Sequence, residues 1–119
     1  WETRRKRGPG FDWIIIKLAG QAKIQKIEVD THHFKGNFPD MCSMEAVNLP
    51  DANLLACDFR DRKDIAWTEI LPKMKLQADN KHVFEKELIQ AAIAQKYNYV
   101  KLNIYPDGGV SRLRIFGEL

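Results

Sequence analysis

Cysteine is scarce in this chain: two among 119 residues, Cys42 and Cys57. With no second cysteine pair and no histidine set beside them, spacing supports neither a disulfide framework nor a zinc site. The thiols read as reduced and intracellular. Long apolar runs are also missing. None approaches the roughly 18 residues of a membrane span, and the N-terminus lacks the apolar core and small-residue cleavage pattern of a signal peptide, so no membrane partner is expected. Neither sign of charge dominates. Nineteen basic against 16 acidic side chains leave +3, too little to imply a nucleic-acid partner without clustering. The one cluster, "RRKRG" at Arg4 to Gly8, reads as a solvated arm or a localisation signal. No internal repeat, low-complexity segment or metal-ligand spacing occurs, so no metal and no cofactor is expected. Helical periodicity is nearly absent, which removes the crossover helices a βαβ sheet requires. The chain begins on a tryptophan and reads as a piece of something longer. At this length it is expected to form one domain over residues 1–119, burying about two thirds of its unfolded surface.

What is present is alternation. "DWIIIKL" (Asp12 to Leu18) is apolar on both faces, as in a strand covered on each side, and Gly20 closes it. "KIQKIEVDT" sets Ile27 and Val29 opposite Lys26, Glu28 and Asp30, and "CSMEAV" sets Cys42, Met44 and Ala46 opposite Ser43 and Glu45. Residues 48–81 read as loop, with a short strand around Thr68 to Leu71 that stops before Pro72. "KHVFEKELIQAAIAQK" starts by alternating and ends as a short helical run with Leu88, Ala92 and Ile93 on one face. In "VKLNIYPDGGVSRLRIFG", Val100, Leu102 and Ile104 face one way while Lys101, Asn103 and Tyr105 face the other. Pro106, Asp107 and two positive-φ glycines, Gly108 and Gly109, then turn the chain. Leu113 and Ile115 return opposite Arg112 and Arg114, which predicts a β-hairpin. Six or seven short strands with little helix predict an all-β sandwich of jelly-roll or immunoglobulin kind, a small α+β domain being the alternative.

The polar residues gather if Asp12–Leu18 and Ile24–Asp30 pair as a hairpin through Ala19–Lys23. The start of one strand and the end of the other then share a rim. Glu2, Arg4, Arg5 and Arg7 would lie beside Asp30, His32, His33, Lys35 and Asn37, a set able to bind an anion and move protons. Each has a plainer explanation. One of the two adjacent histidines must point inward if the strand continues, as a hydrogen-bonded core residue; Asp30 can cap the following turn. Asn37 is an ordinary turn residue, Glu2 a surface ion-pair partner, and Phe34, Phe38 and Trp13 core.

Three blocks, "WETRRKRGPGFDW" at 1–13, "VDTHHFKGNFPDMCSMEA" at 29–46 and "VKLNIYPDGGVSRLRIFG" at 100–117, resemble the allantoicase family over nearly the whole chain. Phe11 departs from the resemblance, standing where the family's first block usually has a histidine. The resemblance implies a jelly-roll sandwich like galactose-binding domains, with two repeats per full-length chain. The wording of "HFKGNFPD" and "PDGGVSRLR" is nearer the C-terminal repeat. It further implies a homo-oligomer, in the cytoplasm or a peroxisome, that hydrolyses allantoate to ureidoglycolate and urea. Losing urea needs a clamped carboxylate, a protonated leaving nitrogen and an activated water. His33, which falls on the histidine of the family's "D-T-x-H-F" wording, is the expected proton carrier with Asp30 and Glu2. Arg4, Arg5 and Arg112 are the expected clamp, and Lys35, Asn37 and Asp107 further substrate contacts. Two rival classes remain: a non-enzymatic jelly-roll module holding an anion or sugar, and a structural repeat supporting a catalytic sister domain.

Overall fold

The computed structural model describes Trp1, residues 11–50 and residues 65–119. These residues form β1 (Asp12–Asp30), β2 (Met41–Val47), β3 (Thr68–Lys75), β4 (Lys81–Phe84), β5 (Lys96–Tyr105) and β6 (Arg112–Glu118), with one helical turn, α1 (Gln90–Ile93), ahead of β5. Strand β1 sets the architecture. Two strands joined by a tight hairpin were the expectation, but a single strand of 19 residues is found. Drawn out straight it would span about 60 Å, whereas the longest dimension of the molecule is 40 Å. It bends at a bulge, where pairing with β5 jumps from Lys17↔Tyr99 to Ala22↔Tyr97 and leaves Leu18 to Gln21 opposite Asn98 alone. At Lys23 the strand has β5 on one edge and β6 on the other; by Ile27, β4 has taken the place of β5. The first half of β1 therefore belongs to a layer β3-β2-β5-β1, and the second half to a layer β4-β1-β6. All pairings are antiparallel. The result is a jelly-roll β-sandwich in which one strand serves both sheets.

The apolar positions read from the sequence form the core, but the opposite face is not simply exposed, since Glu28, Ser43 and Asn103 are buried as well. Ile27, Val29, Cys42, Met44, Ala46, Val100 and Ile104 are fully enclosed in one core. Each large aliphatic side chain so enclosed contributes about 1.5–3 kcal/mol. Ile14 and Ile16 join that core, while Ile15 points to the other side and packs on Val47 and Tyr99 with Leu49, Ile65 and Trp67. "DWIIIKL" is thus covered on both faces as its composition requires. Trp13 is not core: it lies on the outer face with the Lys101 amine 5.3 Å from its ring centroid. Leu88, Ala92 and Ile93 seat α1 on the same core. Cys42 is free and buried, and burial pushes its thiol from 9.0 up to about 12, so it serves as a small apolar filler. Cys57 lies outside the described residues. No helix among the described residues is long and apolar enough to cross a membrane.

Two further expectations are corrected. Strand β3 runs through Pro72 rather than stopping before it. It is an edge strand, and its register with β2 slips between Cys42↔Met74 and Met44↔Leu71. A proline with no N–H to give is tolerated at such a slip on an edge. Strands β5 and β6 are real, but they do not pair with each other as a hairpin; each pairs with β1, in different layers. The turn at 106–111 carries the chain across the sandwich, and only Gly108 of its two glycines has positive φ, at 136°. Gly109 is required by crowding, because a Cβ there would collide with the ring of Phe34.

Candidate functional site

The bend in β1 brings both of its ends to one rim, a result expected from the sequence for a different reason. At the turn after β5, Val110 N–H donates to Trp1 O at 2.7 Å and Trp1 N donates to Val110 O at 2.8 Å. The next residue, Ser111, donates from N and Oγ to Asp30 O at 2.8 and 2.9 Å. Asp30 ends β1 opposite Arg112, the first residue of β6. Asp30, His32, His33, Ser111 and Arg112 line a cleft of about 310 Å³.

Neither histidine points into the core. The strand ends at Asp30, and the inward position is taken by Thr31, which is fully buried. Its Oγ1 donates to Gln77 O at 2.6 Å and accepts from Asn80 N at 3.1 Å, while its own N–H donates to Asn80 O at 2.8 Å. Thr31 therefore ties the turn after β1 to the turn between β3 and β4. Thr31→Val keeps the shape but removes the Oγ1 bonds to Gln77 O and Asn80 N. A loss of about 0.5–1.5 kcal/mol is expected, read as a lower guanidinium midpoint with an unchanged slope.

The second clasp between these turns is Asp79, which the sequence reading missed. Asp79 N donates to Phe34 O at 3.1 Å. Its Oδ1 accepts from His33 N at 2.8 Å and lies 2.9 Å from His32 Nδ1. The His33 N–H foremost, with the charges of His32 and Lys35, holds the Asp79 carboxyl below its ordinary value. Both Asp79 (φ 47°) and His33 (φ 74°) are left-handed. The "ADNK" stretch signals a turn, since Asp and Asn tolerate that region, but nothing local names the partner across the rim. Asp30 does cap the following turn: its Oδ1 accepts from His32 N at 2.9 Å. The rings of His32 and His33 lie 3.9 Å apart.

The remaining expected residues divide into two groups. Lys35, Asn37 and Asp107 are not among the residues that line the cleft. Asn37 O accepts from Gly109 N at 2.8 Å, which fastens the 31–40 loop to the turn that carries Asp107. Glu2, Arg4 and Arg5 lie outside the described residues, as does Arg7. Arg112 makes no ion pair among the described residues, whereas Arg114 faces Glu28 at 3.9 Å. The described residues contain no cluster of three or more His, Cys, Asp or Glu able to hold a metal ion. Chemically, the cleft offers a guanidinium, two imidazoles and one carboxylate, with the Asp79 carboxylate set against His32.

Comparison with known proteins places these features in a family. The family model described as Allantoicase repeat matches residues 1–119. A probable allantoicase of Rhizobium meliloti is 48% identical over the whole chain, which spans 34% of that protein. An allantoicase of Dictyostelium discoideum is 46% identical over 97% of the chain, covering 30% of its own length. The crystal structure of allantoicase from Saccharomyces cerevisiae superposes with a TM-score of 0.76 at 37% identity, over 99% of this chain and 31% of that one. The chain thus spans about a third of the length of the relatives it matches.

Proposed function

The chain belongs to the allantoicase family, and on that premise we propose that it is one repeat of a longer hydrolase that converts allantoate and water to ureidoglycolate and urea in purine breakdown. The observation that carries the proposal is the cleft in which Arg112 meets His32, His33 and Asp30. Allantoate bears a carboxylate and two ureido groups on one carbon. A planar guanidinium suits the carboxylate, and an imidazole with a carboxylate suits proton transfer at the C–N bond, a contribution typically of about 10²–10⁴ in rate. In this reading Arg112, with Arg4 and Arg5, holds the substrate carboxylate. One imidazole of the pair, with Asp30 and Glu2, handles protons, and Lys35, Asn37 and Asp107 make further contacts to the substrate. The parent chain pairs this repeat with a sister repeat, this one being the C-terminal of the two. It works inside the cell, in the cytoplasm or a peroxisome, as a homo-oligomer. The test is urea release from allantoate by the full-length protein. Stoichiometric urea and ureidoglycolate are expected, and a folded parent that binds allantoate without turnover would return the domain to the class of binding modules.

A further inference from the structure

We infer that His32, oriented by Asp79, is the residue that moves the proton in this reaction, with Asp79 as its positioning residue; the inference rests on the functional reading above and deepens it. The family wording favours His33, but the geometry separates the three histidines. His82 is committed to structure: its Nε2 accepts from Gln77 N at 2.8 Å and its Nδ1 donates to Val29 O at 3.0 Å. His33 contributes its main chain, whose N–H donates to Asp79 Oδ1 at 2.8 Å from a left-handed backbone. Both His32 and His33 line the cleft, but His32 alone sets a ring nitrogen, Nδ1, against a carboxylate oxygen, at 2.9 Å.

A nitrogen facing a carboxylate carries the proton, so neutral His32 is the Nδ1–H tautomer and keeps its lone pair on Nε2. No described residue meets that Nε2. The carboxylate also stabilises the imidazolium that forms when Nε2 takes a proton, the role an acidic partner plays behind a catalytic histidine. Asp79 is suited to this because it stays ionised, held so chiefly by the His33 N–H. It is also fixed in place by its own N–H on Phe34 O and by the Thr31 clasp beside it.

The step balances without any further reagent. A water O–H bond breaks as its proton passes to His32 Nε2 and its oxygen bonds to the central carbon. The C–N bond to one ureido group breaks, and the proton passes from Nε2 to the departing nitrogen. Urea leaves, ureidoglycolate remains, and His32 is neutral again.

The experiment is steady-state urea release by the full-length protein and its variants. His32→Gln is expected to lower kcat about 10²-fold with KM held within about threefold. Free imidazole should restore part of the rate to His32→Ala. His33→Asn preserves the main-chain donor and tolerates the backbone angle, and should cost about tenfold less than His32→Gln. Asp79→Asn should lower kcat while KM holds, and Asp79→Glu should recover part of the loss. The assignment is overturned if His33→Asn loses as much as His32→Gln, or if His32→Gln turns over like the wild type. Asp79 loses its positioning role if Asp79→Asn lowers stability alone and leaves kcat per folded molecule intact. A wild-type protein that releases no urea overturns the functional reading itself, before any variant is compared.

Discussion

Gly108→Ala is expected to cost the fold about 3 kcal/mol or more, a large share of the roughly 5–15 kcal/mol that holds an ordinary domain together. Two independent costs converge on this position. Its φ of 136° lies where an L-residue is strained, worth about 1–3 kcal/mol. The added Cβ would also stand 2.6 Å from Pro39 N, 2.7 Å from Phe38 C and 2.8 Å from Asn37 O. All three are main-chain atoms, so no side-chain rotation relieves the contact. The 37–39 segment must move off the turn, and the Gly109 N–H bond to Asn37 O at 2.8 Å breaks with it. That junction fastens the loop of His32 and His33 to the turn leading to Arg112, so kcat should fall along with the unfolding midpoint. Gly36→Ala, in the same loop with nothing within 4 Å of its Cβ, is the control and should shift stability by no more than about 0.5 kcal/mol. Equal effects at both glycines would show that the loop, and not its contact with the turn, sets the cost.

That junction also shows where sequence reading reaches its end. The strands around Leu102 and Leu113 were legible because one face of each packs on the core, and period-2 alternation is the direct imprint of that packing. Their partners were not legible. Whether β5 pairs with β6 depends on where residues 106–111 carry the chain, and this is decided by Asn37, Phe34 and Trp1, each remote in sequence. Gly20 between two apolar stretches reads the same whether the chain reverses in a tight turn or bulges and crosses to the facing sheet. Because both routes return the strand to the same end, the meeting of its two ends at one rim survived an incorrect pairing. The site was legible to the same depth. Asp30, His33 and Arg112 stand in blocks whose wording drew notice, whereas Asp79 sits in a stretch that reads only as a turn. Its importance arises from His33 and Phe34, whose hydrogen bonds to it span a sequence gap that no local pattern encodes.

Arg112→Ala is expected to raise KM for allantoate about 10- to 100-fold in the full-length protein, with a smaller change in kcat. A charge-assisted hydrogen bond contributes about 1.5–3 kcal/mol, and a clamp on a carboxylate that does not react holds ground state and transition state alike. The neighbouring arginine on the same polar face supplies the contrast. Arg114 faces Glu28 at 3.9 Å, and that carboxylate is only 11% exposed, so Arg114 is committed to the sandwich. Arg112 stands opposite Asp30 in register and lines the cleft. The Asp30 Oδ1 beside it already accepts the His32 N–H. The guanidinium is therefore the one cationic group lining the cleft among the described residues that can receive a substrate carboxylate. Arg112→Lys retains the charge but loses the planar fork, and should fall between wild type and alanine. Arg114→Ala should leave KM near the wild-type value and lower the unfolding midpoint, since it leaves the largely buried Glu28 carboxylate without this partner. If Arg112→Ala binds and turns over allantoate as the wild type does, the clamp lies elsewhere, and Arg4 and Arg5 become the positions to replace next.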